Sequence, residues 1–416
     1  MLIYVIQIIA SMIVYFYLHK NTIRYFAAVT SVYFFAYLMS GSYDIALPLY
    51  YTSIFFGIRR ISSIQLTDFL YCAYIVLYAV IGMFFQQLFL TVATVITRYG
   101  YILVFLWYLN SKTLKDEIYE ASAEDFRFAV RLGIFTELMM IALIWIKYGW
   151  GVRIITNNQP IGGGVVIALT LIIGYCYFTK KFSAAETIVY CLCSVVIILL
   201  SGTRGYMVIL GMPMAVIAVL YLLDIPEFGT NAPFRIAAVL ILLAFLIIGV
   251  IALDKTDTVS EILRIQEGLG YRENENVFVK EIMSVAPWYR KLFGFGLGGN
   301  ANDVQGFYEV LKTASWNRPI MFYKLQSNTI FHNYWYTILF KQGAIGLIGV
   351  LGFYLVTLKR ILNLKVCGWI RWMLGLALAG MVISLTFRIT ATCSTYEMLI
   401  LGYFIRLFGN EKESGR

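Results

Sequence analysis

Apolar runs long enough to cross ~30 Å of hydrocarbon as helices follow one another almost without a break from Met1 to Leu253, and again from His332 to Phe408. Between them lies a polar island of 78 residues, Asp254–Phe331, holding 18 of the chain's 56 Asp, Glu, Lys and Arg residues, nine of each sign. The two textures constrain each other. Backbone in lipid must satisfy its hydrogen bonds internally, and a polar loop persists only where water or protein covers it. With 60% hydrophobic and 13% charged residues, against about 25% charged in soluble domains, a soluble core of this length is excluded. The chain reads as an all-α polytopic membrane protein.

Spans are expected at 2–18, 22–40, 43–58, 66–85, 88–109, 127–147, 161–179, 185–201, 205–222, 234–253, 332–358, 369–388 and 392–408. That makes 12 or 13 helices, since the 43–58 run is short and carries Pro48. The organisation is then an N-terminal bundle over 1–253 (about ten helices), the island 254–331, and C-terminal helices with a short tail over 332–416. The first 18 residues lack a positive leader and a small-residue cleavage site, so they read as a retained helix. The net charge of +10 sits in short loops. With the N-terminus outside, 17 basic residues, from Lys20 and Arg24 to Lys412 and Arg416, fall on the cytoplasmic side. Four (Lys147, Arg153, Arg204 and Arg388) fall near short outer loops. The positive-inside rule turns the island outward and accounts for the charge without nucleic acid.

Six cysteines and two histidines show no disulfide framework, zinc spacing or acidic cluster, so neither metal nor cofactor is expected. The run Phe293-Gly294-Phe295-Gly296-Leu297-Gly298-Gly299 formally fits a dinucleotide fingerprint. No strand precedes it and it faces outward, so it reads as a loop whose backbone can approach another surface closely. Asn274, Val277, Phe278 and Ile282 mark a helix within the island.

A few residues stand out chemically. Arg204, in Ser201-Gly202-Thr203-Arg204-Gly205, either snorkels to the headgroups or clamps an anion with its guanidinium fork. His332, one of two histidines, opens a span beside the island, as a structural residue or as a base or donor near neutral pH. After it come Asn333 and the glycines 343, 346, 349 and 352, a smooth ridge for helix packing. Arg153 lies in the loop 148–160. Arg264, Arg272, Arg290 and Arg318 lie in the island, where pairing with local acids is the ordinary role. Arg98, Glu137 and Glu397 fall within spans and are expected to face the bundle interior or a cavity; Arg388 sits at a span end.

The motifs at 201–205, 293–299 and His332-Asn333-Tyr334-Trp335…Gly343-Ala344-Ile345-Gly346, with a large outer loop ahead of the third, resemble the O-antigen polymerase (Wzy) and O-antigen ligase superfamily over residues 153–350. The polymerases' arginine, ten residues, then glycine is met by Arg153 and Gly164 but by no island arginine. The resemblance implies a GT-C-like bundle in the bacterial inner membrane with its site on the periplasmic face. The donor and acceptor would be undecaprenyl-pyrophosphate-linked oligosaccharide, with a chain-length regulator as a possible partner. Carried over by motif, Arg204, Arg272 (or Arg264) and His332 form the catalytic set. Arg153, Arg264 and Asn333, with Arg98 and Arg388 from the spans, are the candidate pyrophosphate- and substrate-binding residues. Polymerisation of repeat units is the expected reaction. The ligase reaction onto lipid A–core is the near alternative, and a lipid-linked or small-solute transporter the distant one.

Overall fold

The computed structural model describes residues 2–40, 43–58, 64–85, 88–111, 121–149, 163–201, 276–277, 279–297, 333–366, 368–385 and 394–409. Among these, the chain is helical without a strand. The helices are α1 (Leu2–Leu18), α2 (Thr22–Ser40), α3 (Tyr43–Gly57), α4 (Leu66–Phe85), α5 (Leu88–Thr94), α6 (Gly100–Leu109), α7 (Ala123–Tyr148), α8 (Gly163–Phe178), α9 (Ala184–Ser201), α10 (Trp288–Phe293), α11 (Tyr334–Leu362), α12 (Gly368–Leu385) and α13 (Ser394–Gly409). Among the described residues, four stretches are long and apolar enough to cross a membrane: Thr22–Ser40, Thr91–Leu109, Ala123–Lys147 and Tyr334–Leu362. The runs expected at 205–222 and 234–253 lie outside the described residues.

The distribution of side chains is that of a helix bundle in an apolar solvent. The buried residues of α1 are Gln7 and Ser11, whereas Leu2, Ile6, Ile9, Ile13 and Phe16 are each more than half exposed. Gln7 donates from Nε2 to the Ala46 carbonyl at 2.8 Å. In α9, Ser194 is buried while Ile188 and Leu192 are exposed. A water-soluble helix turns its apolar stripe inward; these two turn apolar residues outward and bury the few polar ones, as lipid demands.

Local signals set the helix ends. Ser122 caps α7 through a reciprocal capping box with Asp125, and Gly149 ends it at φ 105°. Asn21 Oδ1 accepts the Arg24 amide at the start of α2, Ser183 Oγ accepts that of Glu186 at the start of α9, and Asn333 caps α11. These side chains answer amides that no preceding turn can take. The Leu88–Leu109 run is one apolar stretch in sequence but carries a π-helical turn, Val95–Tyr99, between α5 and α6. The wider turn buries Thr97, Arg98 and Tyr99 together.

In the bundle, α2 packs on α1, α3 and α7, α13 on α6 and α8, and α11 on α10 and α12. Arg98, Glu137 and Glu397 are at most 2% exposed, inside the bundle as charge in hydrocarbon requires. Glu137 Oε2 finds no hydrogen-bond partner among the described residues.

A polar knot ties α4, α6 and α11. Arg360 Nη2 donates to Asp68 Oδ1 at 2.5 Å and to Gln65 Oε1 at 2.9 Å. Asn110 Nδ2 donates to Asp68 Oδ2 at 2.8 Å. The two charged side chains are only 5% and 17% exposed. Removing one partner of such a pair leaves a buried charge uncompensated, at a cost of roughly 3–5 kcal/mol. Asp68→Ala is therefore expected to lower the thermal midpoint of the purified protein markedly, and Asp68→Leu with Arg360→Met to recover much of it. Equal midpoints for Asp68→Ala and the unsubstituted protein would contradict this account.

Candidate functional site

The described part of the island comprises helical residues within 276–285, α10 and the segment Gly294–Leu297. Its tight contact is with a break in α11. Gly343 sits at φ 64°, ψ −158°, a non-helical conformation in the middle of α11, about 14 Å along the axis from Tyr334 at 1.5 Å per residue. The break frees the carbonyls of Phe340 and Lys341, and the island takes both. Phe295 and Gly296 donate their amides to them, each at 2.8 Å.

The approach is a backbone-to-backbone fit. A Cβ on Gly294 (φ +70°) would lie 2.4 Å from backbone atoms of Lys341 and Gln342. One on Gly343 would lie 2.5 Å from the Leu292 backbone. The glycine run therefore makes the close approach expected of it. The glycine ridge on α11 needs correcting: Gly343 breaks the helix, a Cβ on Gly346 would collide with the Gln342 side chain of the same helix, and one on Gly352 would meet nothing within 4 Å. Beyond Gly343, whose neighbour is Leu292 of α10, Gly349 meets another helix, at the Tyr74 ring of α4. Three-residue spacing records position on a helix, and positive φ at one member is invisible to it.

Polar side chains converge on this junction. Lys341, 3% exposed, donates from Nζ to the Leu297 carbonyl at 2.9 Å and to Thr94 Oγ1 at 3.2 Å. Gln342 is fully buried; its Oε1 accepts from Tyr74 at 3.2 Å and, in a short contact, from Tyr99. Gln342 Nε2 has no hydrogen-bond partner among the described residues. Tyr78 places its hydroxyl between the carbonyls of Phe293, at 3.0 Å, and Gln342, at 3.3 Å. Tyr334 donates to the Arg98 carbonyl at 3.3 Å, and Tyr101 and Tyr354 share a hydrogen bond at 2.8 Å. Six tyrosines, Gln342, Lys341 and the π-turn with Arg98 thus form one buried polar region running from the island into the bundle. Ionisable side chains inside a bundle are costly unless paired, and functional use is the usual reason for keeping them.

Of the candidate catalytic and substrate-binding residues, Arg98 and Asn333 are described. Arg98 is fully buried in the π-turn. Asn333 accepts the Trp335 amide on Oδ1 at 3.0 Å and its carbonyl accepts from Thr337, so it positions the start of α11. His332, Arg204, Arg272, Arg153, Arg264 and Arg388 lie outside the described residues. Among the described residues, Arg290 meets aromatic rings and a backbone carbonyl rather than a carboxylate. Its guanidinium lies 5.4 Å from the Phe295 ring centroid and 5.7 Å from that of Tyr289, and Nη1 donates to the Gly294 carbonyl at 3.4 Å. The cation covers the docked loop.

Sequence reasoning passed over Lys341, Gln342 and the tyrosines 74, 78 and 99. A lysine seven residues into an apolar helix beside a glycine was the available signal. The tyrosines carried none, because 31 of them are spread along the chain.

The chain matches no family model, no curated protein and no solved structure.

Gly343→Ala is expected to detach the island segment, because it adds a backbone clash to a positive-φ, extended-ψ conformation that is essentially confined to glycine and costs an L-residue roughly 1–3 kcal/mol. Limited proteolysis within 288–297 should accelerate and the thermal midpoint fall. Gly352→Ala, with open space around it, should leave both unchanged. Similar behaviour of the two variants would show that the junction does not depend on close approach at Gly343.

Proposed function

We propose that this protein is a membrane glycosyltransferase that polymerises lipid-pyrophosphate-linked oligosaccharide repeat units. The observation that carries the reading is the docking of the glycine-rich segment Gly294–Leu297 into the break of α11. It joins two of the three motifs on which the resemblance rests, though 32 residues of chain (300–331) separate them. A site assembled from distant motifs needs such a junction, and here it lies among buried Lys341, Arg98 and tyrosine hydroxyls.

In this reading the bundle is GT-C-like with 12 or 13 spans in a bacterial inner membrane, and the island covers the site on the periplasmic face. Undecaprenyl-pyrophosphate-linked glycan is both donor and acceptor. Arg204, with Arg153 and Arg272 or Arg264, stabilises the departing pyrophosphate by fixed positive charge. His332, next in the chain to the cap residue Asn333, positions or deprotonates the acceptor hydroxyl. A chain-length regulator would act as partner.

The transporter reading has one observation in its favour: a broken helix with buried cations is a common carrier device. In a carrier the freed carbonyls face the transported ion. Here Phe295 and Gly296 occupy two of them, which favours a docked, static junction.

Deletion of the gene with display of surface lipopolysaccharide tests the proposal. Loss of long chains with a single repeat left on the core is the expected pattern. Loss of every repeat would assign the ligase reaction, and unchanged banding would overturn both. In the same assay Arg204→Ala should abolish elongation and Arg204→Lys restore only part, since a point charge replaces a bidentate fork.

His332→Ala should slow turnover, by about 10²–10⁴-fold if the imidazole takes the proton, with donor binding largely kept. Full activity in His332→Gln would leave His332 a positioning residue, because an amide keeps a hydrogen bond but accepts no proton near neutral pH.

A further inference from the structure

A cleft of about 430 Å³ opens beside the start of α7, lined by Arg24, Glu124, Phe128, Arg131, Leu132 and Phe135. Five of these residues come from α7 at positions 124, 128, 131, 132 and 135, the spacing of one helix face; Arg24 comes from α2. The cleft lies at the end of the bundle where Arg24, Arg127 and Lys181 meet. Lys181 donates to the Ala121 carbonyl at 2.8 Å and Arg127 Nε to Glu186 at 2.8 Å.

Both arginines of the cleft are held by Nε and leave the fork open. Arg24 Nε donates to Asp125 Oδ1 at 2.6 Å, and its guanidinium lies 5.3 Å from the Phe128 ring centroid. Arg131 Nε donates to the Tyr190 hydroxyl at 3.1 Å. Neither offers its Nη atoms to an acceptor among the described residues. The nearby carboxylates are already engaged: Asp125 by Arg24, Glu124 by Arg127 at 2.6 Å, and Glu186 by Arg127. Arg131 thus touches no carboxylate among the described residues, although it is exposed and lies inside the apolar stretch Ala123–Lys147. One helical turn further along the same face, Phe135 is 54% exposed.

A guanidinium in that position is costly unless it reaches water or an anion. Two open forks above a wall of Phe128, Leu132 and Phe135 combine phosphate recognition with an apolar surface for an acyl chain. The volume is that of a small-molecule site, and basic pockets between membrane helices are known to hold anionic headgroups. We propose that this cleft binds an anionic phospholipid, the phosphodiester between Arg24 and Arg131 and an acyl chain along Leu132 and Phe135. The site is separate from the island junction and independent of the catalytic reading.

The test uses the full chain purified in a neutral detergent. Its thermal midpoint is followed during titration with dioctanoyl phosphatidylglycerol, dioctanoyl phosphatidylcholine or inorganic phosphate. Phosphatidylglycerol should raise the midpoint saturably, and the other two should have little effect. Arg131→Gln should need at least tenfold more phosphatidylglycerol for the same shift, and Arg131→Lys an intermediate amount. The proposal is overturned if Arg131→Gln responds like the unsubstituted protein or if phosphatidylcholine acts as well as phosphatidylglycerol. An equal response to inorganic phosphate would reject the lipid as ligand, because the acyl chain would then contribute nothing.

Discussion

The pairing of two amides with two carbonyls at the break in α11 is the contact around which the candidate site is arranged. A helix that stops and restarts inside an apolar bundle strands carbonyls that water cannot reach, each costing several kcal/mol. Phe295 and Gly296 satisfy those of Phe340 and Lys341. Their approach is possible only because Gly294 and Gly343 carry no side chain where the two backbones meet. Once the segment is seated, Leu297 is fully buried and its carbonyl receives Lys341. Phe295 then stacks on Phe340 with centroids 4.9 Å apart. The buried polar region follows from that seating.

A second constraint is the treatment of charge. Asp68 and Arg360 neutralise each other in a knot with Asn110 and Gln65. Arg406 donates to the Tyr108 carbonyl at 2.7 Å and lies over the Tyr108 ring. Lys341 has a carbonyl and a hydroxyl. Glu137 stands on the core-facing side of α7 with one oxygen unanswered among the described residues. Buried ions in this bundle therefore range from fully answered to partly answered. Partly answered ones are the more informative, because nothing about packing alone would keep them.

Much of the helical layout could be read from the chain because lipid leaves few alternatives. The run at 2–18 becomes Leu2–Leu18, and that at 22–40 becomes Thr22–Ser40. Arg98, Glu137 and Glu397 were legible as interior residues for the same reason, that charge avoids hydrocarbon. The candidate site was less legible. The π-turn at Val95–Tyr99 interrupts a run whose hydropathy is uniform, and the break at Gly343 sits in a glycine series whose other members behave as helix. The break at Gly343 meets a partner segment some 45 residues away in the chain, about the separation of Leu297 and Lys341, and the π-turn meets α11 from some 245 residues away. Gln342 and the tyrosines around it acquire meaning only once that partner is in place.

The broken helix also carries a consequence for biogenesis. Gly294–Leu297 is synthesised before α11, so the segment exists before its partner does. Until the two meet, α11 holds the carbonyls of Phe340 and Lys341, in its first third, without these partners, and its insertion is that much less favourable than its apolar composition suggests. Completion of the last spans is thereby tied to the arrival of the polar island. A chain whose island is detained elsewhere would hold an imperfectly inserted helix, the kind of defect that membrane quality control recognises.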